Sequence, residues 1–362
     1  MTVKENNLQT YFNERFKKLY DSTDEVVFMD GDRYNIPKRK MILLNRPKAL
    51  NALNLPMVRT MYKQMLEWQD SLQIQMVIIK GAGEKAFCAG GDVLAVTKSA
   101  KEGSGTYHKD FFREEYKLNY LIGTYSVPVI SFMDGITMGG GCGIALNGMY
   151  RVATEKTLLA MPETALGLFP DVGGSYFLTK LKGNLGMFLA LTGYRLKGAD
   201  IYHAGLATNY VESSKVQELI IELINNNDAT NDFVIYSMIE AREPKNIPPF
   251  SLEPHLETIE KCFDGDSVED IIEKLEADGS EFAKKQVVEL KKMSPTSLKV
   301  TFRQLKEGAK MSFEEIFTME YRLTQRFMKD HDFHEGCRAS MLAFDQFYAI
   351  TIRAANLNSK CL

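Results

Sequence analysis

The stretch "DGITMGGGCGIAL", residues 134–146, decides the fold class. It runs from a strand-like segment through three consecutive glycines into a small-residue helix. Such a junction exposes backbone N–H groups where a negative oxygen can be held. Glycine there removes the side chain that would block close approach of a substrate. A second run of this kind, "KAFCAGGDV", covers residues 85–93. Both also read as tight turns. Neither has the G-x-G-x-x-G spacing directly after the first strand of a βαβ unit that a dinucleotide loop needs.

Outward from these runs, residues 26–211 alternate short β-branched segments with helical ones, the pattern of α/β layers. The strand candidates are "EVVFM", "KMILLN", "MVIIKG", "VPVISFM" and "RVAT", with helices starting near Pro56 and Lys109. From Lys215 onward apolar residues recur at three- and four-residue spacing, as in "VQELIIELINN" and "SFEEIFTMEYRLTQRFMKD", so a helical second region follows. The four prolines of "REPKNIPPFSLEP" (242–254) read as a surface linker.

Composition narrows the chemistry. The chain has 362 residues and a net charge of −3, against the clustered cations of a nucleic-acid binder. No apolar run approaches the ~20 residues of a membrane span. The five cysteines, an odd number without CxxC spacing, suit a reducing compartment better than a disulfide framework or a zinc site. There is no G-x-S-x-G nucleophile elbow. The metal-like cluster "HDFHEGC" (331–337) does not have HExxH spacing and reads as a solvated helix end rather than a metal site, so no metal is expected. Cys88 and Cys142 flank the glycine runs, but with no histidine in either motif they read as small packing residues.

Acids stand out instead. "MPETALGLFPDVGG" (161–174) sets Glu163 and Asp171 in an otherwise apolar, turn-forming run, although charges are rarely buried unless paired or used. In "DFFREEYKLNYLIG" helical spacing puts Glu115 on one stripe with Phe111, Leu118 and Ile122. Glu115 is thus either a paired structural residue or a site residue.

Together, "ILLNRPKALNAL" (42–53), "KAFCAGGDV", "GITMGGGCGIAL" and "MPETALGLFPDVGGSYFL" resemble the crotonase superfamily of CoA-thioester enzymes. The wording of "FFREEY" and "LALTGYRLKGADIYHAGLAT" resembles the branch that hydrolyses 3-hydroxyisobutyryl-CoA in valine degradation. The resemblance implies an α/β fold, the crotonase-like ββα spiral, with a helical C-terminal region. Residues 1–25 would be an N-terminal extension, 26–212 the spiral core, 213–338 the helical region and 339–362 a divergent tail. It also implies an oxyanion hole from the N–H groups of Gly91 and Gly140, with Glu163 and Asp171 as catalytic acids and Glu115 as a substrate contact. Lys48, Ala49 and Leu50, with Ala89, Gly91, Asp92 and Val93, would line the CoA groove. CoA is then part of the substrate and a product, and no separate cofactor is implied. No nucleic-acid or membrane partner is implied, and relatives often form homo-oligomers.

One departure fixes the expected reaction class. Hydratases of the superfamily place one glutamate three residues after the oxyanion glycine and another twenty residues later. Here those positions hold Gly143 and Glu163. Adding water across a double bond needs both acids, whereas one suffices for thioester hydrolysis, as general base or as nucleophile. Enoyl-CoA hydratase or isomerase action, and a non-catalytic role in an assembly, are the alternatives. The resemblance implies the mitochondrial matrix, yet no transit peptide is evident, and "KCL" only weakly echoes a peroxisomal signal, so cytosol and peroxisome remain as alternatives.

Overall fold

The computed structural model describes residues 21–30, 38–71, 73–102, 106–226 and 231–339. The expectations for the chain before residue 21 and for the tail after 339 lie outside the described residues. Strands β1 (Val26–Asp30), β2 (Arg39–Leu44), β3 (Met76–Gly81), β5 (Val129–Met133), β7 (Tyr150–Ala153) and β10 (Asn209–Tyr210) form one sheet in that order. Only the β1–β2 pair is antiparallel. A second sheet joins β4 (Ala86–Cys88), β6 (Ile136–Met138), β8 (Leu158–Ala160) and β9 (Leu196–Lys197). From β3 to β8, each odd strand feeds the large sheet, the next even strand the small one, and a helical segment follows. This is the expected ββα spiral.

The strands of the large sheet are covered on both faces, which is why β2, β3 and β5 read as nearly unbroken apolar runs. Ile42, Leu44, Val77 and Ile79 point into the main core. Met41, Met76, Ile78 and Ile130 point the other way, against helix Ser213–Asn225. The strands missed in the sequence are the two- and three-residue ones, all four of the small sheet and β10 at the edge of the large one, too short to show a period.

Helix α1 (Leu55–Gln69) starts at Asn54, whose side chain accepts the Met57 N–H, with Pro56 in the first turn. Helices α2 (Val93–Glu102) and α3 (Tyr107–Gly123) follow β4, and α4 (Gly140–Leu146) follows β6. Downstream, α5 (Pro295–Gly308) and α6 (Phe313–Phe327) are capped by Ser294 and by a Ser312/Glu315 capping box. The final described helical run is 331–339. These C-terminal helices share the main core, which runs without a break from Val26 to Cys337. The proline-rich 242–254 segment is tied down at the surface: Ser251 donates to Asp200, the Pro248 carbonyl meets His203, and Leu252 is buried.

Candidate active site

The two glycine runs lie side by side. In the parallel bridge between Leu53 and Gly91, the Gly90 carbonyl accepts from Leu53 and the Asp92 N–H donates to it, so the Gly91 N–H points away from this pairing. Gly140 opens α4, where a first-turn N–H has no intrahelical acceptor. A Cβ on Gly140 would stand 3.2 Å from the Gly91 nitrogen and 2.5 Å from Glu115 Oε1. Gly139, at φ 49°, makes the turn into α4, and a Cβ there would stand 2.9 Å from Glu163 Oε1. Both amides and both glutamates therefore converge on one place.

That place is a cavity of about 150 Å³ between α3, α4 and the turn Glu163–Leu166. Ala89, Gly91, Val93, Glu115, Gly140, Glu163, Asp171 and Phe333 are among its lining residues. Glu115 sits on the buried stripe of α3, as its spacing predicts, while Glu114 meets Arg113 and Lys117 outside. Glu163 begins a 3₁₀ turn closed by Gly167 in the left-handed conformation, and the chain then returns Asp171 to the same cavity.

The three acids differ in their partners. Asp171 Oδ2 accepts the Tyr116 hydroxyl at 2.6 Å, whereas Glu115 Oε1 and Glu163 Oε2 have no hydrogen-bond partner among the described residues. Burial, then repulsion from Asp171, pushes both glutamates well above the usual carboxylate range. Burial also raises Asp171, but the Tyr116 hydrogen bond opposes it, leaving it at about 6. Tyr116 is a site residue that sequence reasoning missed. It lies within "FFREEY", where aromatic spacing by itself reads as core.

The expected CoA-binding residues are brought only partly to the cavity. The Leu50 carbonyl accepts the Ala89 N–H, which holds the 47–53 loop against the Ala89–Val93 run. Asp92 pairs with Arg46 at 3.5 Å. Lys48 and Ala49 are exposed on the short 3₁₀ turn Pro47–Ala49, outside the cavity wall. Asn51, a further miss, is fully buried and donates to the carbonyls of Ala82 and Ala86, fixing the loop's shape.

Gly143 lies under the site. A Cβ on it would come within 2.5 Å of Val172 Cβ and 2.9 Å of Asn119 Nδ2, so the place of the hydratase's first acid is filled by Val172. Cys88 and Cys142 are fully buried; burial pushes the Cys88 thiol to about 12 and raises Cys142 as well, so neither is a thiolate nucleophile near neutral pH. The "HDFHEGC" segment is not a free helix end. Asp332 accepts from Ser294 Oγ, and Phe333 lines the cavity. Glycines permit this approach: a Cβ on Gly167 would stand 2.4 Å from the Asp332 carbonyl, and one on Gly336 2.4 Å from that of Leu166.

Residues 39–347 match the model of the enoyl-CoA hydratase/isomerase family. The chain belongs to that family. Within the enoyl-CoA hydratase/isomerase family it groups with proteins named mitochondrial 3-hydroxyisobutyryl-CoA hydrolase. It is 52% identical to the one from Danio rerio over 314 residues, covering 86% of this chain and 82% of that protein. Identity to the one from Homo sapiens is 49% over 335 residues, covering 92% and 85%. Among solved structures it is similar to a carnitinyl-CoA dehydratase from Mycobacterium thermoresistibile. That match has a TM-score of 0.81 and 36% identity, covering 88% of this chain and 90% of that one. An enoyl-CoA hydratase from Rhodobacter sphaeroides gives a TM-score of 0.79 and 32% identity, covering 89% and 90%.

Proposed function

We propose that the chain hydrolyses the thioester of 3-hydroxyisobutyryl-CoA to 3-hydroxyisobutyrate and CoA. The observation that carries this reading is the meeting of the Gly91 and Gly140 backbone with Glu163, over a Gly143 position closed by Val172. The thioester carbonyl oxygen sits between the two amides, which strengthen their hold as negative charge develops on it. One such donor contributes about 3 kcal/mol. Glu163, made more basic by burial, takes the proton of an attacking water, or attacks the carbonyl itself to form a mixed anhydride that water then opens. The carbon–sulfur bond breaks, and the thiolate leaves with a proton as CoA. Asp171, the acid held most readily in its ionised form, accepts the substrate's 3-hydroxyl and orients the acyl group. Glu115 closes the pocket on the acyl side.

CoA enters along Ala89–Val93 and the 47–53 loop, with Lys48 outside as a partner for its phosphates. CoA is consumed and released as part of the ester, so no resident cofactor is required. Water addition to an unsaturated acyl-CoA is the weaker reading, because Glu163 has no second glutamate opposite it at Gly143. The mitochondrial names of the relatives support the matrix as the compartment.

The test is thiol release from a panel of saturated, unsaturated and 3-hydroxylated acyl-CoAs. Fastest turnover on the 3-hydroxyisobutyryl ester, abolished in Glu163→Gln with ester binding retained, is expected. Near-wild-type turnover by that variant would sink the assignment.

A further inference from the structure

The loop that carries Asp171 is held by side chains outside the cavity. Val172 has φ +53°, a left-handed conformation that strains a β-branched residue and persists only where surroundings enforce it. Three elements do so. Glu320, fully buried on α6, accepts the Gly173 N–H at 2.9 Å, the Ser175 N–H at 3.0 Å and the Ser175 hydroxyl at 2.6 Å. Gln304, buried on α5, donates through Nε2 to the Pro170 carbonyl at 2.6 Å and to Ser175 Oγ at 2.7 Å. Asn147 donates to the Val172 carbonyl at 3.0 Å and to that of Gly143 at 2.8 Å.

These bonds bracket Asp171 on both sides, and none of the three side chains lines the cavity. We infer that Glu320 is a positioning residue for thioester hydrolysis, acting through Asp171: with Gln304 it clamps the strained 170–175 turn so that Asp171 faces the acyl group. The inference rests on the proposed role of Asp171. A buried acid with three donors and, among the described residues, no cation beside it is costly to keep for packing alone, whereas it suits a turn whose backbone N–H groups must all point one way. A glutamine in its place offers one oxygen and one NH₂. The NH₂ group opposes either the Gly173 or the Ser175 N–H, and the turn relaxes.

A double-mutant cycle of Glu320→Gln with Asp171→Asn tests this, with kcat and KM measured on 3-hydroxyisobutyryl-CoA and thermal melting as the control for folding. Glu320→Gln in the wild-type background should lower kcat about 10- to 100-fold with KM changed less than about 3-fold. In the Asp171→Asn background it should cost less than about 2-fold more, since there is no longer a carboxylate to position. Equal losses in both backgrounds, or no loss in the wild type, would overturn the clamp and leave the role of Asp171 standing. Wild-type turnover by Asp171→Asn would overturn both. Should Glu320→Gln fail to fold, Ser175→Ala removes one donor and leaves the carboxylate in place. It should cost about 3- to 10-fold in kcat, again only when Asp171 is present.

Discussion

At the scale of single residues, the contrast between Asp171 and Glu163 comes from one hydroxyl. Both are buried, but only Asp171 accepts the Tyr116 O–H. Turnover needs Glu163 and Asp171 both ionised and should fall at low pH, with Asp171 contributing to the limb through about 6. Tyr116→Phe removes the interaction that favours the charged form, so the pKa rises and the acidic limb of the kcat profile moves to higher pH. A limb that stays in place would show that Asp171 does not control it. Gly140→Ala brings a methyl group to 2.5 Å from Glu115 Oε1 beside the Gly91 amide. Steady-state kinetics should show a kcat loss of about 10²-fold or more, on the scale of losing one oxyanion donor.

At the scale of elements, the site is where a strand of the small sheet ends and a short helix begins, and that much is legible in the two glycine runs. So are the long apolar strands, the helix at Pro56 and the inward stripe of Glu115, because each shows a period or a cap within one segment. What the sequence hides is long-range. Tyr116 reads as an aromatic among aromatics until Asp171 is folded against it, and Phe333 reads as part of a charged helix end until Gly167 and Gly336 let that helix come down on the 163–167 turn. Gly143 is legible as a missing acid, but its cause is not: Val172 reaches it from 29 residues away in the chain. Gly143→Glu should therefore not create a hydratase. Overpacking against Val172 and Asn119 should cost about 1–3 kcal/mol in chemical denaturation, with no water addition detected on an unsaturated acyl-CoA.

At the scale of the whole molecule, a cluster of buried acids opposes folding when ionised. Asp171, at about 6, lies above its unfolded value. The native state thus holds protons that the unfolded chain has already released, and stability falls as pH rises through this range. Melting temperature should increase as pH is lowered from about 7 towards 5, and Asp171→Asn should flatten that trend. A melting curve independent of pH would mean that the carboxylates are solvated in the native protein. The cost belongs to function, since a site that must hold acids near neutrality gives up stability to keep them dry.

The grip of α5 and α6 on the Asp171 turn also orders events in time. Gln304, Glu320 and Phe333 are all made after the carboxylates they surround, so during synthesis both glycine loops and both acids leave the ribosome before the parts that aim them. On the proposed mechanism, a nascent chain that has folded its spiral but not yet its last helices presents the two glycine loops without a properly directed acid. Competence for hydrolysis would then arrive abruptly, with the stretch from Pro295 onward, rather than building up as the core does.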